Sequence, residues 1–301
     1  MYRAVEIGGI IPPLVTPFRA DGSIDEQAHR AEVRYMIERA GVHGLAVCGS
    51  TGEGHTLNTG ETRSVVAWTV EEARGRVPVI AGIIANSTQA VVERARAVAD
   101  LGVAALQVTP VHYLFRPDDD AMVAHFDAIA RGSGLPVIIY NVVPWSYLLP
   151  PLLTRILRDV EGVIGVKQSA SDMKALADLL LSVEEEGIAG RVRILSAVDA
   201  LLYPSFRLGA HGAVAAILSA APEWSVALWN AVRAGDDARA LALHKNLLRL
   251  WNAIDAPNLP ANVRAAMRLH GRNGGVPRPP MPESSPLQQE KVRVAFARAQ
   301  G

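Results

Sequence analysis

The stretch Gly162-Val163-Ile164-Gly165-Val166-Lys167-Gln168-Ser169 is a short apolar run that ends in one lysine followed by small polar residues. Its apolar residues do not alternate with polar ones, which favours a strand buried on both faces, as in a parallel sheet. The next segment, 173–180, has apolar residues at helical spacing. The stretch therefore predicts a strand that carries Lys167 at its carboxyl end, just before a helix.

A lysine in this position can be a surface residue or a nucleophile. Most lysines are solvated, and a solvated lysine is protonated at neutral pH and cannot attack a carbonyl group. A lysine in a water-poor cavity loses its charge and can form a Schiff base with a carbonyl carbon. From this segment alone the surface lysine is the more common case, so other segments must decide.

The composition favours an α/β protein that acts on a small molecule. The chain has 301 residues, with 30 Lys plus Arg and 30 Asp plus Glu. This balance gives no basic stripe for nucleic acid or an anionic membrane surface. The single cysteine, Cys48, excludes an internal disulfide, and the start of the chain does not resemble a signal peptide. We therefore expect a cytoplasmic protein that neither crosses a membrane nor binds nucleic acid.

Short apolar runs alternate with amphipathic helical segments along most of the chain. The predicted strands end near Val15, Cys48, Gly82, Val108, Tyr140, Lys167, Ser196 and Val214. The spacing fits one strand, one helix and two turns, so the strands are predicted to be parallel and to close into a (β/α)8 TIM barrel. The barrel is expected to occupy residues 1–235, and residues 236–301 are expected to form additional C-terminal helices packed on it.

Polar residues that could take part in binding or catalysis follow two of the predicted strands. The run Gly49-Ser50-Thr51-Gly52-Glu53-Gly54 could gather backbone amides around a carboxylate or phosphate, although such runs also form plain connecting turns. Tyr140 could pass protons, or could cap the core with its hydroxyl in solvent. The carboxyl ends of barrel strands face one cavity, so the glycine run, Tyr140 and Lys167 are predicted to meet there. This coincidence favours the nucleophilic lysine.

Other kinds of site have little support in the sequence. The histidines lack metal-ligand spacing, and neither a dinucleotide fingerprint nor a P-loop is present. Cys48 has the setting of a small core residue. No metal and no cofactor is expected.

The ordered motifs resemble the lysine-dependent class I aldolases typified by dihydrodipicolinate synthase and N-acetylneuraminate lyase. The resemblance runs nearly end to end. It is carried by Pro13-Leu14-Val15-Thr16-Pro17-Phe18, Gly49-Ser50-Thr51-Gly52-Glu53, Val108-Thr109-Pro110, Tyr140-Asn141, Gly165-Val166-Lys167, Leu195-Ser196-Ala197-Val198-Asp199 and the run 260–266.

The resemblance implies roles for particular residues and an assembly. Lys167 is similar to the Schiff-base lysine and Tyr140 to the proton-relaying tyrosine. Ser50 and Thr51 are similar to the residues that bind the carboxylate of a 2-oxo acid, and Thr51 is also expected in the hydroxyl chain of the tyrosine. Gly49 and Val214 complete the expected substrate-binding set near the lysine. The family is typically a homotetramer, so this chain is expected to be one.

Two loops depart from the pattern of dihydrodipicolinate synthases. Those synthases carry a tyrosine pair after the fourth strand, whereas this chain has Val111-His112-Tyr113-Leu114-Phe115, in which His112 or Tyr113 is expected to replace the interface tyrosine. They also place an arginine soon after the fifth-strand tyrosine, where this chain offers Trp145. The second substrate is therefore expected to be less anionic, or aromatic.

The sequence predicts a lyase that forms a Schiff base with pyruvate or another 2-oxo acid and makes or breaks an aldol bond with an aldehyde. Three alternatives stay open at this point. They are a hydro-lyase or deaminase acting on a deoxy-keto or cyclic imino acid, dihydrodipicolinate synthase itself, and a non-catalytic sensor of 2-oxo acids.

Overall fold

The computed structural model describes residues 7–169 and 172–300, and within them eight parallel strands follow one another around a sheet. The strands are β1 Gly9–Ile10, β2 Leu45–Val47, β3 Val79–Ile83, β4 Ala105–Val108, β5 Val137–Asn141, β6 Val163–Gln168, β7 Arg193–Ser196 and β8 Gly212–Ala213. Neighbours in the chain are neighbours in the sheet, and β1 pairs with β8. The predicted (β/α)8 barrel is confirmed.

The seam between β1 and β2 differs from the prediction. The expected end of the first strand at Val15 is wrong, because β1 ends at Ile10. The prolines of Pro12-Pro13 have no amide hydrogen to donate to a ladder. The chain nevertheless stays beside β2, since the Ala46 amide donates to the carbonyl at position 12 (3.0 Å) and the Leu14 amide donates to the Ala46 carbonyl (2.8 Å). These bonds close the barrel, and each later strand ends within one residue of its predicted end.

The helices surround the barrel and continue after it. They are α1 Glu26–Glu38, α2 Thr59–Ala73, α3 Thr88–Arg96, α4 Asp119–Ser133, α5 Pro150–Asp159, α6 Met173–Glu185, α7 Leu202–Arg207, α8 Ala216–Ala220, α9 Pro222–Arg233, α10 Asp237–Ile254, α11 Leu259–Leu269 and α12 Pro286–Gln300. Asp236 caps α10 by accepting from the Arg239 amide, which explains the break predicted near residue 235. None of the helices in the described part of the chain could cross a bilayer.

Two apolar clusters build the core. The smaller one fills the inside of the barrel and is formed by Ile7, Ile11, Ala46, Ile80, Ala105, Ile138, Leu195 and Val214. The larger one lies between the strands and the helices and extends without interruption to Leu250 of α10 and Phe296 of α12. The helices after residue 236 therefore pack on the barrel, while the boundary at residue 235 stays a prediction.

Buried and half-buried ion pairs connect the start of the chain to its end. Glu32 of α1 lies 2.7 Å from Arg272, which follows α11, and both side chains are almost fully buried. Glu61 of α2 lies 2.7 Å from Arg278, which precedes α12. Breaking a buried pair leaves an uncompensated charge in a medium of low polarity. These contacts fix the last third of the chain against the first barrel helices.

Two buried histidines are expected to make the fold sensitive to acid. His29 of α1 contacts Thr69, and His125 of α4 contacts Thr88, each at 2.8 Å, and burial lowers the pKa of both histidines to about 4. An unfolded histidine has a pKa of about 6.5, so below that pH the unfolded chain binds protons that the folded chain does not bind. The stability is full above about pH 6.5 and should fall by roughly 2 kcal/mol per histidine by about pH 5.

Urea denaturation at about pH 7 and about pH 5 measures this loss. The variants His29→Gln and His125→Gln should each show a smaller difference between the two conditions. An equal free energy of unfolding for the wild type at both pH values would contradict the prediction.

Candidate active site

Lys167 and Tyr140 lie side by side at the carboxyl ends of adjacent strands. They are register partners of β6 and β5, and both side chains are buried. The Lys167 Nζ atom lies 3.9 Å from the centroid of the Tyr140 ring. The Tyr140 hydroxyl donates a hydrogen bond of 2.9 Å to Ser50 Oγ. The structure thus brings the amine, the phenol and a hydroxyl of the glycine run together, as the sequence predicted.

The glycine run turns sharply between β2 and α2. Its turn is closed by the Gly54 amide, which donates to the Gly49 carbonyl at 2.9 Å. A Cβ atom on Gly54 would lie 1.9 Å from the Cys48 carbonyl oxygen, so only glycine fits there. The sequence predicted Thr51 in the hydroxyl chain of the tyrosine, whereas the hydrogen-bond partner is Ser50. Thr51 lines the same cavity, and its catalytic role stays a prediction.

A buried ion pair anchors the glycine run, and sequence reasoning missed it. Glu53 and Arg264 of α11 are both fully buried, with 2.7 Å between Oε1 and Nη2. Arg264 also donates to the Thr16 carbonyl at 2.6 Å, and Glu53 Oε2 accepts from the Arg278 amide at 3.0 Å. Both charged residues lie within motifs that carried the family resemblance, and this was the signal available in the sequence.

A cavity of about 700 Å³ opens above Lys167 at the carboxyl ends of the strands. Residues expected in the site that line it are Ser50, Thr51, Tyr140, Lys167 and Val214. Residues that line it without having been expected there include His55, Asp199, Trp251, Asp255, Leu259 and Met281. The last four belong to the C-terminal helices or their connections, so these helices form part of the site.

The other expected binding residues lie outside the cavity. Gly49 is part of the turn beneath it, and His112, Tyr113 and Trp145 do not line it. The Trp145 indole N–H donates to the His112 carbonyl at 2.8 Å, so the two loops contact each other at the surface. Trp145 is 72% exposed and Tyr113 is 69% exposed. Their roles in substrate binding stay predictions.

Of the carboxyl groups that line this cavity, Asp199 has the properties expected of a residue that transfers protons. Its Oδ1 atom accepts from the Ile217 amide at 2.7 Å. Burial raises the pKa of Asp199 to about 6, while that amide and the positive charge of Lys167 oppose the shift. The carboxyl group therefore changes its protonation state near neutral pH and can hold or release a proton in the cavity.

Metal ligands are not grouped in the described residues: no cluster of three or more His, Cys, Asp or Glu side chains could hold an ion there. Burial raises the pKa of the Cys48 thiol to about 12, so this thiol stays protonated at neutral pH. The chemical groups that meet at the cavity are thus an amine, a phenol, hydroxyls and carboxyls.

Comparison with known proteins agrees with this arrangement. The family model described as "Dihydrodipicolinate synthetase family" matches residues 6–299. A 4-hydroxy-tetrahydrodipicolinate synthase of Methanopyrus kandleri is 34% identical over 291 residues, which cover 96% of this chain and 95% of that protein. The enzyme of the same name from Bradyrhizobium diazoefficiens is 35% identical over 301 residues, covering 99% of each chain.

Among solved structures, a prophage protein of E. coli K12, described as belonging to the dihydrodipicolinic acid synthase family and solved in complex with pyruvate, superposes with a TM-score of 0.91. It is 26% identical, and the match covers 98% of this chain and 99% of that one. The family match spans the barrel, the cavity and the C-terminal helices alike. This chain therefore belongs to the dihydrodipicolinate synthetase family and is an enzyme, a lyase that acts through a Schiff base.

Proposed function

We propose that this chain is a cytoplasmic lyase that forms a Schiff base between Lys167 and pyruvate or a closely related 2-oxo acid, and that it makes or breaks an aldol bond with an aldehyde. One observation carries the proposal. The buried Lys167 amine lies 3.9 Å from the centre of the Tyr140 ring, and the Tyr140 hydroxyl is bonded to Ser50 at the cavity. An amine and a proton-transfer group in contact are what imine formation needs.

In the proposed reaction the unprotonated Lys167 nitrogen adds to the keto carbon, and the keto oxygen takes up a proton from the Tyr140 hydroxyl. Water then leaves, and an iminium bonded to Lys167 remains. In the cleavage direction, the substrate hydroxyl passes its proton to the Tyr140 phenolate left by the first step and becomes an aldehyde while the carbon–carbon bond breaks. The electron pair of that bond enters the iminium to give an enamine, which takes the proton back from Tyr140. Water then hydrolyses the resulting iminium to pyruvate and free Lys167, and the proton released returns to Tyr140.

Borohydride reduction in the presence of pyruvate, followed by peptide mass spectrometry, tests the proposal. A reduced adduct is expected on Lys167. If no adduct forms on Lys167 with any of a panel of 2-oxo acids, the proposal is wrong. Product analysis separates the chemistry that follows, since an aldehyde with pyruvate indicates aldol cleavage, and loss of water or ammonia from an intact carbon skeleton indicates a hydro-lyase or deaminase.

Dihydrodipicolinate synthesis is the second candidate, and the names of the curated relatives favour it. The charges at the cavity favour it less. No arginine is found among the described residues that line the cavity, and the carboxylates there are Asp199 and Asp255. Efficient condensation of aspartate semialdehyde with pyruvate would place this candidate first.

Replacing Tyr140 with phenylalanine is expected to slow the reaction by about a hundred- to ten-thousand-fold, because the ring is kept and only the proton-transfer hydroxyl is lost. Steady-state turnover with the best substrate pair measures the effect. Tyr147→Phe is the matched control, since its hydroxyl donates to the Ser169 carbonyl and Tyr147 does not line the cavity. Turnover of Tyr140→Phe equal to that of the control would contradict the role of the hydroxyl.

We propose that the chain forms a homotetramer, and the loops after β4 and β5 supply a surface for pairing. Large apolar side chains there are between 64% and 82% exposed, and they form what we name the loop patch: Tyr113, Leu114, Phe115, Trp145 and Leu149. Large exposed apolar side chains grouped on two loops that contact each other are typical of an interface. A second copy seated on this patch would bring Tyr113 or His112 toward the subunit boundary.

Phe115→Glu is expected to reduce the sedimentation coefficient, because a buried carboxylate without a partner disfavours association. Analytical ultracentrifugation measures this change. The control is Leu269→Glu, an exposed leucine at the end of α11, which should leave the assembly unchanged. A wild-type chain that sediments as a monomer would contradict the proposal.

A further inference from the structure

We infer that the second substrate is an uncharged aldehyde whose far end is apolar and packs against the C-terminal helices; this inference rests on the proposed function. The surface in question comprises Trp251 of α10, Leu259 and Pro260 of α11, and Met281 before α12, and we name it the C-terminal wall. It lines the same cavity as Lys167. A substrate whose keto carbon is bonded to Lys167 can extend its other end toward this wall.

A buried amide helps to hold the wall in place. Asn262 of α11 is fully buried, and its side-chain amide donates to the Ile254 carbonyl at the end of α10 (3.0 Å). Its Oδ1 atom accepts from the Ser284 hydroxyl at 2.7 Å, in the segment that carries Met281. One side chain thus joins the segments that supply the wall. A surface fixed in this way binds an apolar group with little further loss of conformational freedom.

The charges of the cavity oppose an anionic second substrate. Apart from Lys167, the acidic side chains among its described lining residues are Asp199 and Asp255, and the cavity is also lined by the imidazole of His55. In the proposed condensation the Lys167 nitrogen is part of a neutral enamine when the aldehyde reacts, so it offers no positive charge to the aldehyde. A carboxylate on the aldehyde would therefore face like charges and would have no guanidinium to pair with, which costs affinity. An apolar end meets indole, aliphatic and thioether groups instead.

Trp145 is not part of this surface. The indole in place of the arginine of the synthases predicted that Trp145 contacts the second substrate, but the Trp145 side chain lies outside the cavity and is bonded to the neighbouring loop. We therefore expect the C-terminal helices, rather than the loop after β5, to determine which aldehyde reacts.

Two aldehydes with the same number of non-hydrogen atoms test the inference. Isocaproaldehyde ends in an isopropyl group, and succinic semialdehyde ends in a carboxylate of nearly the same shape. With pyruvate as the common partner, kcat/KM is expected to be at least about tenfold higher for isocaproaldehyde. Condensation products are measured by mass spectrometry, and borohydride trapping of pyruvate is measured in parallel for every variant.

Variants of the wall should move this preference without affecting imine formation. Trp251→Ala should lower kcat/KM for isocaproaldehyde by about tenfold or more. Leu259→Arg should reverse the preference, since a guanidinium can pair with the carboxylate of succinic semialdehyde. Both variants should still form the pyruvate adduct on Lys167. Leu241→Ala, on an exposed part of α10, is the matched control and should behave as the wild type.

The outcomes separate this inference from the function on which it rests. If pyruvate is not trapped by the wild type, the proposed function fails and the inference fails with it. If pyruvate is trapped but succinic semialdehyde reacts as fast as isocaproaldehyde, the inference alone is wrong. The same conclusion follows if the wall variants keep the wild-type preference while still forming the adduct.

Discussion

Replacing Lys167 with alanine is expected to lower kcat/KM by about four orders of magnitude or more, because the nucleophile that forms the imine is removed and no other group in the cavity can replace it. Lys167 is the single lysine among the described lining residues of the cavity. Turnover of the best substrate pair measures the loss. Borohydride trapping with pyruvate should give no adduct at this position.

Lys174 provides the matched control for this experiment. It lies on α6, the helix that follows β6, and its side chain is 77% exposed and paired with Asp178. Lys174→Ala should keep wild-type turnover, since an exposed ion pair contributes little to stability and Lys174 does not line the cavity. Because alanine at position 167 could also loosen the barrel, Lys167→Met, of similar length, should be inactive with an unchanged melting temperature. Substantial activity in Lys167→Met would overturn the assigned role.

Glu53→Ala is expected to destabilise the fold by about 3–5 kcal/mol, because it leaves the Arg264 guanidinium buried without a counter-charge. Both side chains of the pair are fully buried. Arg264 would keep its hydrogen bonds to the Thr16 and Gly274 carbonyls, but two neutral acceptors do not compensate a buried positive charge. Urea denaturation measures the free energy of unfolding.

The control is Glu26→Ala, which removes a carboxylate that pairs with Arg30 and is 47% exposed. An exposed pair should cost less than about 1 kcal/mol. Replacing both buried partners, with Glu53→Gln and Arg264→Met together, should recover most of the loss because no charge is then buried alone. A loss for Glu53→Ala as small as that for Glu26→Ala would show that the buried pair does not carry the stability we assign to it.

Lys167 and Tyr140 could be located from the sequence because they depend only on where strands end. The apolar runs gave the ends of β5 and β6 within one residue, and parallel strands of a barrel present their carboxyl ends to the same cavity. The end of β1 was misjudged because an apolar run does not reveal how two consecutive prolines interrupt a ladder.

The position of Trp145 could not be predicted, because it depends on the path of a loop. Asn141 fixes the end of that loop by bonding the Leu148 main chain through both its amide nitrogen and its oxygen, at 2.9 Å each. The Ser146 hydroxyl donates to the Val111 carbonyl at 2.7 Å, which draws the loop toward the one after β4. Contacts between residues far apart in sequence thus decide where the indole lies.

Trp251 shows what helical periodicity does not reveal about a side chain. The spacing of Leu247, Leu250, Trp251 and Ile254 is typical of the apolar face of a helix, but periodicity does not say what that face packs against. In the structure the Trp251 side chain lines the cavity above Lys167. The family resemblance pointed to the run that begins at Pro260 without indicating that it forms a wall of the cavity.

The ion pairs between the first and last thirds of the chain determine how late in synthesis on the ribosome this protein can complete its fold. Glu32 meets Arg272 across 240 residues of sequence, and Glu61 meets Arg278 across 217. While the first barrel helices leave the exit tunnel, the partners of their carboxylates have not yet been synthesised. The early βα units can form locally, but they have no cation with which to bury these groups. Nascent chains released before Arg272 has been synthesised should therefore remain sensitive to protease, and resistance should appear only when the last helices emerge.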